Sequence, residues 1–300
     1  MILFPKKKNK VPDGFAIFTP LYTTPMLALK IDWNPPDGLD LGIFEIKYYS
    51  LMFVIAFICG WYIMKKFYLR EGESVQKLDS LFIYMVVSTL IGARLGHVIF
   101  YQPELFLQDP ISVFLPIRTV PEFEYTGFRG LASHGAAIAI IVAMFMYSKR
   151  VLKRNVLWIL DRIVIPVAWG GIFVRLGNFI NSEIIGKATG SDYGVVFVQL
   201  GEDFPRHPTQ LYESAGYLVV FLLLWYVYWK TDKRNYLGYI FGLFLALLWL
   251  VRFLVEFMKE AQVDERAEWA LNTGQLLSIP FILIGIYLMI RSSKHPYQPQ

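Results

Sequence analysis

The sequence predicts an all-α polytopic membrane protein. It should have about seven transmembrane helices, an outside N-terminus, a cytoplasmic C-terminus and a polar cavity toward the outer leaflet. Three observations predict this. Of 300 residues, 55% are hydrophobic and 18% charged, where an ordinary soluble protein has about 25% charged, and mean hydropathy is +0.44. Seven apolar runs approach the roughly 20 residues that cross a bilayer. Lys and Arg concentrate in alternate loops between these runs.

Residues 1–42 read as an extracytoplasmic or interfacial arm. Lys6-Lys7-Lys8 could open a leader, but Pro12, Asp13, Gly14, Pro20 and Pro25 interrupt the next stretch, so no apolar leader core forms. Spans are expected near 43–64, 78–101, 131–148, 157–178, 209–229, 237–258 and 274–291. They form one transmembrane domain over 43–291, with 292–300 as a cytoplasmic tail. Any one apolar run could be a buried helix of a soluble protein; seven in series argue for spans. The Pro-rich stretch 103–121, with Phe106, Phe114 and Leu115, is too short and broken to cross and reads as an interfacial or re-entrant loop.

Orientation follows from the basic loops. Lys65, Lys66, Arg70 and Lys77 follow span 1; Lys149, Arg150, Lys153 and Arg154 follow span 3. Lys230, Lys233 and Arg234 follow span 5, and Arg291 and Lys294 follow span 7. The other loops carry mainly Glu104, Asp109, Glu122, Glu124, Glu202, Asp203, Asp264, Glu265 and Glu268. The Lys6–Lys10 cluster runs against this pattern, but it lies far from span 1, where the rule is weaker.

The net charge of +5 comes with no basic stripe or aromatic-basic module, so no nucleic-acid partner is expected. Cys59 is the single cysteine, which excludes a disulfide framework, and no residues have metal-ligand spacing. No internal repeat is visible. Gly92-x-x-x-Gly96 and Gly238-x-x-x-Gly242 are small-residue spacings, read as close helix packing.

With orientation assigned, each costly polar group acquires a height. Tyr49 lies near the outer end of span 1, Arg94 and His97 in the outer part of span 2, and Ser133 and His134 at the outer start of span 3. Arg175, Asn178 and Asn181 close span 4; Thr209, Gln210, Tyr212 and Glu213 open span 5. Arg252 and Glu256 lie in the outer half of span 6, and Gln275 and Ser278 open span 7. Asp161-Arg162, near the inner end of span 4, is the exception and reads as a structural pair. Arg94/His97 and Arg175/Asn178 are i,i+3, while Arg252/Glu256 and Thr209/Glu213 are i,i+4, so each set shares a helix face.

One arginine near a helix end can simply snorkel to the interface. Three at one level, with Asn, Gln and His beside them, argue for a site, because ionisable groups at membrane depth are costly and usually functional. Glu256 either neutralises Arg252 or serves the site; Glu183 and Glu213 have the same choice with Arg175 or a helix N-terminus. Tyr49 and Tyr212 could be interfacial-belt aromatics, and Tyr101 reads as one. Paired guanidiniums match phosphate oxygens, and the natural anion at that depth is a phospholipid headgroup. His134 is the best general-base candidate and His97 a weaker one. No Gly-x-Ser-x-Gly, Walker or dinucleotide motif occurs. The residues alone lead to a membrane enzyme or binder acting on an anionic lipid from the outer side.

At these residues the chain resembles the bacterial prolipoprotein diacylglyceryl transferases. Arg175-Leu-Gly-Asn-Phe-Ile-Asn-Ser-Glu183 is similar to the family signature near the fourth span, and His207-Pro-Thr-Gln-Leu-Tyr-Glu213 to a second block. Gly92-Ala-Arg-Leu-Gly, Ser133-His134-Gly135, Arg252-Phe-Leu-Val-Glu256-Phe and Gly274-Gln-Leu-Leu-Ser278 match further blocks in order, over roughly 43–291. Lys47-Tyr48-Tyr49-Ser50 departs from the family's Arg-Trp-Tyr-Gly, keeping only the tyrosine. The stretch before His134 reads Arg129-Gly130-Leu131-Ala132, and Ala136 stands where the family often has a second glycine.

The resemblance implies a reaction. Phosphatidylglycerol gives its diacylglyceryl group to the lipobox cysteine of a prolipoprotein signal peptide, a thioether forms, and glycerol 1-phosphate leaves. It implies the bacterial cytoplasmic (inner) membrane, an active site toward the periplasmic side, and no metal or dissociable cofactor. His134 would take the thiol proton, while Arg175 and Arg252 would hold the phosphate. Tyr49, Arg94, Asn178, Asn181, Glu183, His207, Gln210, Tyr212, Glu213 and Glu256 would bind substrate: the amides at the headgroup, the three glutamates aiming the arginines, and Tyr49 lining the pocket. The alternatives are an outer-leaflet anionic-lipid binder or a transporter. A transporter would want a midplane site and often repeats. A structural scaffold would not need so many arginines at one height.

Overall fold

The computed structural model describes residues 30–42, 45–115, 117–119, 122–125, 130, 132–260 and 271–292. The arm before residue 30, the acidic stretch 261–270 and the tail from 293 lie outside the described residues. In chain order the elements are β1 (Lys30–Trp33), β2 (Gly38–Asp40), β3 (Glu45–Lys47), α1 (Tyr48–Arg70) and α2 (Val75–Tyr101). Then come α3 (Leu105–Gln108), α4 (Pro110–Phe114), β4 (Ile117–Arg118), β5 (Glu124–Tyr125), α5 (Ser133–Tyr147) and α6 (Val156–Ile180). The chain continues with β6 (Gly194–Phe197), α7 (Thr209–Lys230), α8 (Tyr239–Val255) and α9 (Thr273–Ser292). Among the described residues, seven helices are long and apolar enough to cross a membrane: α1, α2, α5 with its π-helical extension to Leu152, α6, α7, α8 with its 3-10 extension to Met258, and α9. This is the multi-pass α-helical class the sequence predicts. Outward-facing Val54, Ile58, Ile83, Ile138, Leu222 and Leu283 are exposed, as a hydrocarbon surround allows.

Local chemistry moves several boundaries. The first span starts at Tyr48, not 43, because 45–47 pair with β2 as a hairpin in register Gly38↔Lys47. It runs on to Arg70 because Lys65, Lys66 and Arg70 lay their long side chains over Trp61, Trp225 and Trp229. The second span starts early, at Val75, because Ser74 caps it by accepting the Lys77 N–H at 3.3 Å. The described residues of the 103–121 stretch form α3, α4 and β4, and Asp109 accepts from the Thr119 N–H and hydroxyl at 2.6 Å each.

Two helix pairs pack through glycines. A Cβ on Gly135 would lie 2.2 Å from the Gly92 carbonyl oxygen, and one on Gly285 would lie 2.5 Å from that of Gly242. Gly238 is different: it opens α8 at φ 88° and donates its N–H to Asp161 at 2.7 Å. Valine at Gly135 cannot be accommodated without parting α2 from α5. Gly135→Val is expected to abolish the folded protein, read as loss of the monodisperse peak in detergent; a peak and melting temperature like wild type would refute this close approach.

At the end of the bundle where α1 turns into α2, Glu71 accepts from Arg162 at 2.8–3.1 Å and from the Tyr228 hydroxyl at 2.6 Å. Glu73 pairs with Lys77 at 2.8 Å and Arg154 at 2.5 Å. Asp161 and Arg162 are structural, but not principally as a pair. They lie 3.9 Å apart, because Asp161 caps α8 through the Gly238 and Phe241 N–H groups while Arg162 turns to Glu71. Above this layer the main apolar core gathers Phe67, Tyr68, Trp158, Ile165, Leu224 and Ile240.

Candidate functional site

Alternating helix direction brings seven helix ends together at the opposite end of the bundle. They are the starts of α1, α5, α7 and α9 and the ends of α2, α6 and α8. Over them lies a strap, residues 182–208, containing β6. β1 pairs parallel with β6, and Trp33 donates to the Phe179 carbonyl at 2.9 Å while stacking on its ring. Residues 30–33 are thus tied to the last turn of α6.

A ladder of charges crosses the site. Arg175 Nε is 2.8 Å from Glu213 Oε2. Glu213 Oε1 accepts from Lys259 Nζ at 2.9 Å, and Lys259 Nζ is 3.2 Å from Glu256 Oε2. Glu213 is 0% exposed and Lys259 3%. Charges this deep persist only when paired. Arg175 also reaches Asn178 Oδ1 at 3.1 Å, and it lines a cavity together with buried Tyr217. The Asn178 amide continues to Glu183 at 3.2 Å, and Asn181 holds the other Glu183 oxygen at 3.1 Å. The Tyr49 ring covers Gly177, where a Cβ would meet it at 2.7 Å.

The turn after α6 is held in place from α7. Ser182 and Ile184 have φ of 53° and 56°, a conformation costly for such residues. Gln210 Nε2 donates to the Glu183 carbonyl at 2.6 Å and Thr209 Oγ1 to that of Ile184 at 3.0 Å. The strap is pinned by Arg206, which binds Glu202 at 2.6 Å, Glu260 at 3.0 Å and the Gly186 carbonyl at 3.0 Å. The Glu202 hydrogen bond raises the pKa of this guanidinium, against its desolvation.

Arg252 stands apart from the ladder. It lies over Trp249 at 5.5 Å, and its Nε is buried with no hydrogen-bond acceptor. The Arg252–Glu256 pair, one of the two readings open for Glu256, does not form among the described residues. The Glu256 N–H still donates to the Arg252 carbonyl, so the i,i+4 spacing holds at the end of α8, but the Glu256 carboxylate goes to Lys259 instead. Arg175, Arg252 and Tyr217 line one end of a cavity of about 530 Å³ whose deeper wall includes Met64, Leu78 and Leu81. Arg175 and Arg252 are its only charged lining among the described residues. Phe53, Phe57, Trp61 and Phe82 line both this cavity and a groove of about 790 Å³ along α1 and α2.

The structure therefore gathers Tyr49, Arg175, Asn178, Asn181, Glu183, Gln210, Glu213 and Glu256 into one network, with Arg252 across the cavity. Asn178 and the Gln210 amide nitrogen meet protein partners, while Gln210 Oε1 is buried with no hydrogen-bond partner among the described residues. The Arg94 guanidinium binds the carbonyls of Ser112, Val113 and Gly130 and so holds α4 and Gly130 to α2. His207 and Tyr212 bond each other at 3.3 Å, and the His207 backbone is part of the strap. His134 is exposed at the start of α5 with no polar partner among the described residues. The sequence reading missed Lys259 and Tyr217. Lys259 had a signal, since Arg252, Glu256 and Lys259 are spaced i, i+4, i+7; Tyr217, inside an apolar run, had none. Among the described residues no three His, Cys, Asp or Glu side chains gather as metal ligands.

Comparison with known proteins gives a consistent answer. The family described as Prolipoprotein diacylglyceryl transferase matches residues 36–291. A phosphatidylglycerol–prolipoprotein diacylglyceryl transferase of Tolumonas auensis is 40% identical over 263 residues, 87% of this chain and 97% of the relative. Proteins of the same name from Bacteroides fragilis and Porphyromonas gingivalis are 39% and 41% identical over 271 and 281 residues. Each of these alignments covers 89% of this chain, with 97% and 96% of the respective relatives.

Proposed function

The chain belongs to the prolipoprotein diacylglyceryl transferase family and is a phosphatidylglycerol–prolipoprotein diacylglyceryl transferase, catalysing the first step of lipoprotein lipidation; from that premise we propose how its residues carry out the transfer. The carrying observation is the amphipathic cavity, apolar along its length and charged only by Arg175 and Arg252 among the described residues. Acyl chains occupy the apolar length, and the phosphodiester sits against the two guanidiniums.

The lipobox cysteine thiolate attacks the glyceryl carbon that bears the phosphate. The carbon–sulfur bond forms as the carbon–oxygen bond breaks, and glycerol 1-phosphate leaves with the bonding pair. Arg175 and Arg252 oppose the charge that grows on the departing phosphate. Asn178 and Glu213 hold Arg175 in place, Asn181 steadies Glu183, and Gln210 fixes the Glu183 backbone. Tyr49 packs against Gly177 beside them. His134 takes the thiol proton, imidazole being the side chain suited to proton exchange near neutrality. His134→Asn is expected to cut kcat about 100-fold near neutral pH; full rate across that range would remove the base role.

The site faces the outer side of the bacterial inner membrane. What supports this is the basic residues Lys65, Lys66, Arg70, Lys149, Arg150 and Lys230 in the loops and helix ends opposite the site. The signal-peptide cysteine of the prolipoprotein would be presented there. The test is a transfer assay with purified protein, phosphatidylglycerol micelles and a peptide bearing a lipobox cysteine. Intact mass should gain one diacylglyceryl group, with equimolar glycerol phosphate, and none on the Cys→Ser peptide. No gain from folded, lipid-binding protein would turn the reading to a lipid binder or transporter.

A further inference from the structure

We propose that Lys259 is a positioning residue: it holds Glu213 on Arg175 and keeps Glu256 off Arg252, so the site offers an anionic lipid one uncompensated guanidinium. The proposal rests on the transferase reading for its ligand, a phosphodiester monoanion. The Lys259 ammonium sits 2.9 Å from Glu213 and 3.2 Å from Glu256 and is almost wholly buried. Arg175, Glu213, Lys259 and Glu256 cancel in charge. Arg252 has no carboxylate partner among the described residues, and its Nε is orphaned. Arg252 therefore presents a guanidinium at the cavity with no carboxylate on it, while Glu183, the network's other carboxylate, is held by the amides of Asn178 and Asn181.

The backbone sets where this ammonium points. Lys259 forms an antiparallel bridge with Gly186, and Lys187 N–H donates to the Met258 carbonyl at 2.8 Å. Gly186 cannot carry a side chain, since its Cβ would lie 2.4 Å from the His207 carbonyl oxygen. The strap thus presses on the chain at 258–260, and Lys259 reaches inward between two carboxylates. Without the ammonium, Glu213 and Glu256 repel, and Glu256 is free to turn toward Arg252. The anion would then meet a neutralised guanidinium in a low-dielectric site, where charge differences are weakly screened.

The experiment is a dissociation constant for phosphatidylglycerol in neutral-detergent micelles, read by native mass spectrometry, alongside KM and kcat for transfer. Lys259→Met should weaken binding and raise KM by about tenfold. Lys259→Arg should stay near wild type, and Lys259→Met/Glu256→Gln should recover most of the loss, because the charge pair is removed together. A folded Lys259→Met with unchanged Kd and KM, or a double variant no better than the single one, would overturn the proposal. Should Lys259→Met not fold, Glu256→Gln carries the test. It adds a net positive charge and should tighten lipid binding several-fold, whereas weaker or unchanged binding would overturn the role. Binding is read without turnover, so wild-type protein that binds phosphatidylglycerol but transfers nothing would sink the enzyme reading and leave Lys259 standing.

Discussion

Replacing Arg252 with alanine is expected to lower transfer about 100-fold or more while leaving the protein as stable as wild type. The activity loss is of the size found when one charge-stabilising donor is removed from a transition state. The stability expectation comes from the environment of Arg252. It makes no ion pair among the described residues, touches Trp249 through its ring face, and keeps a buried Nε without an acceptor. A buried polar group in that state costs stability, so its removal should be neutral or slightly favourable. Melting temperature and kcat/KM measured together decide the matter. Near wild-type transfer would end the phosphate role; a large fall in melting temperature would show that Arg252 is part of the scaffold.

Replacing Arg175 with alanine is expected to show the opposite combination, with both quantities falling. Transfer should drop about 100- to 1000-fold. Stability should also drop, because Glu213 is fully buried and would lose one of its two cations. Breaking a buried pair from one side costs about 3–5 kcal/mol, and Lys259, still in contact, should keep the loss at the lower end. Arg175→Ala combined with Glu213→Gln should restore the melting temperature but not the activity. If that double variant restored transfer as well, Arg175 would be only the counter-ion of Glu213. If Arg175→Ala alone kept wild-type transfer, the two-guanidinium reading of the cavity would fall.

The contrast between these arginines shows where a sequence stops being informative. Both lie near helix ends, three or four residues before a polar partner, and both look alike on paper. Arg175 does find Asn178 at the predicted i+3 spacing, because α6 stays α-helical through Ile180. Arg252 misses Glu256 although the helical spacing between them holds, because Lys259, just past the helix end, takes the Glu256 carboxylate. Arg94 looked like a third member of the same set, yet it grips the carbonyls of a loop from 18 to 36 residues away in sequence. Asp161 and Arg162 are chain neighbours that turn mainly to different partners. Gly92 and Gly96 pack against Gly135 as small-residue spacing predicts, whereas Gly238 shapes a turn.

By itself the sequence determined the seven apolar helices, their order, and the set of polar residues that alternating direction delivers to one end of the bundle. These follow from composition and periodicity, which act within a segment. Tertiary structure alone decided which carboxylate each cation meets. It made Lys259 the link between Glu213 and Glu256, left Arg252 without a carboxylate among the described residues, and set the Asn178 amide and the Gln210 nitrogen against protein partners. The physical reason is range. Helix pitch fixes which side chains share a face, but a charge crossing a cavity chooses among several partners on other helices. That choice depends on the packing and strap contacts that set each backbone's height.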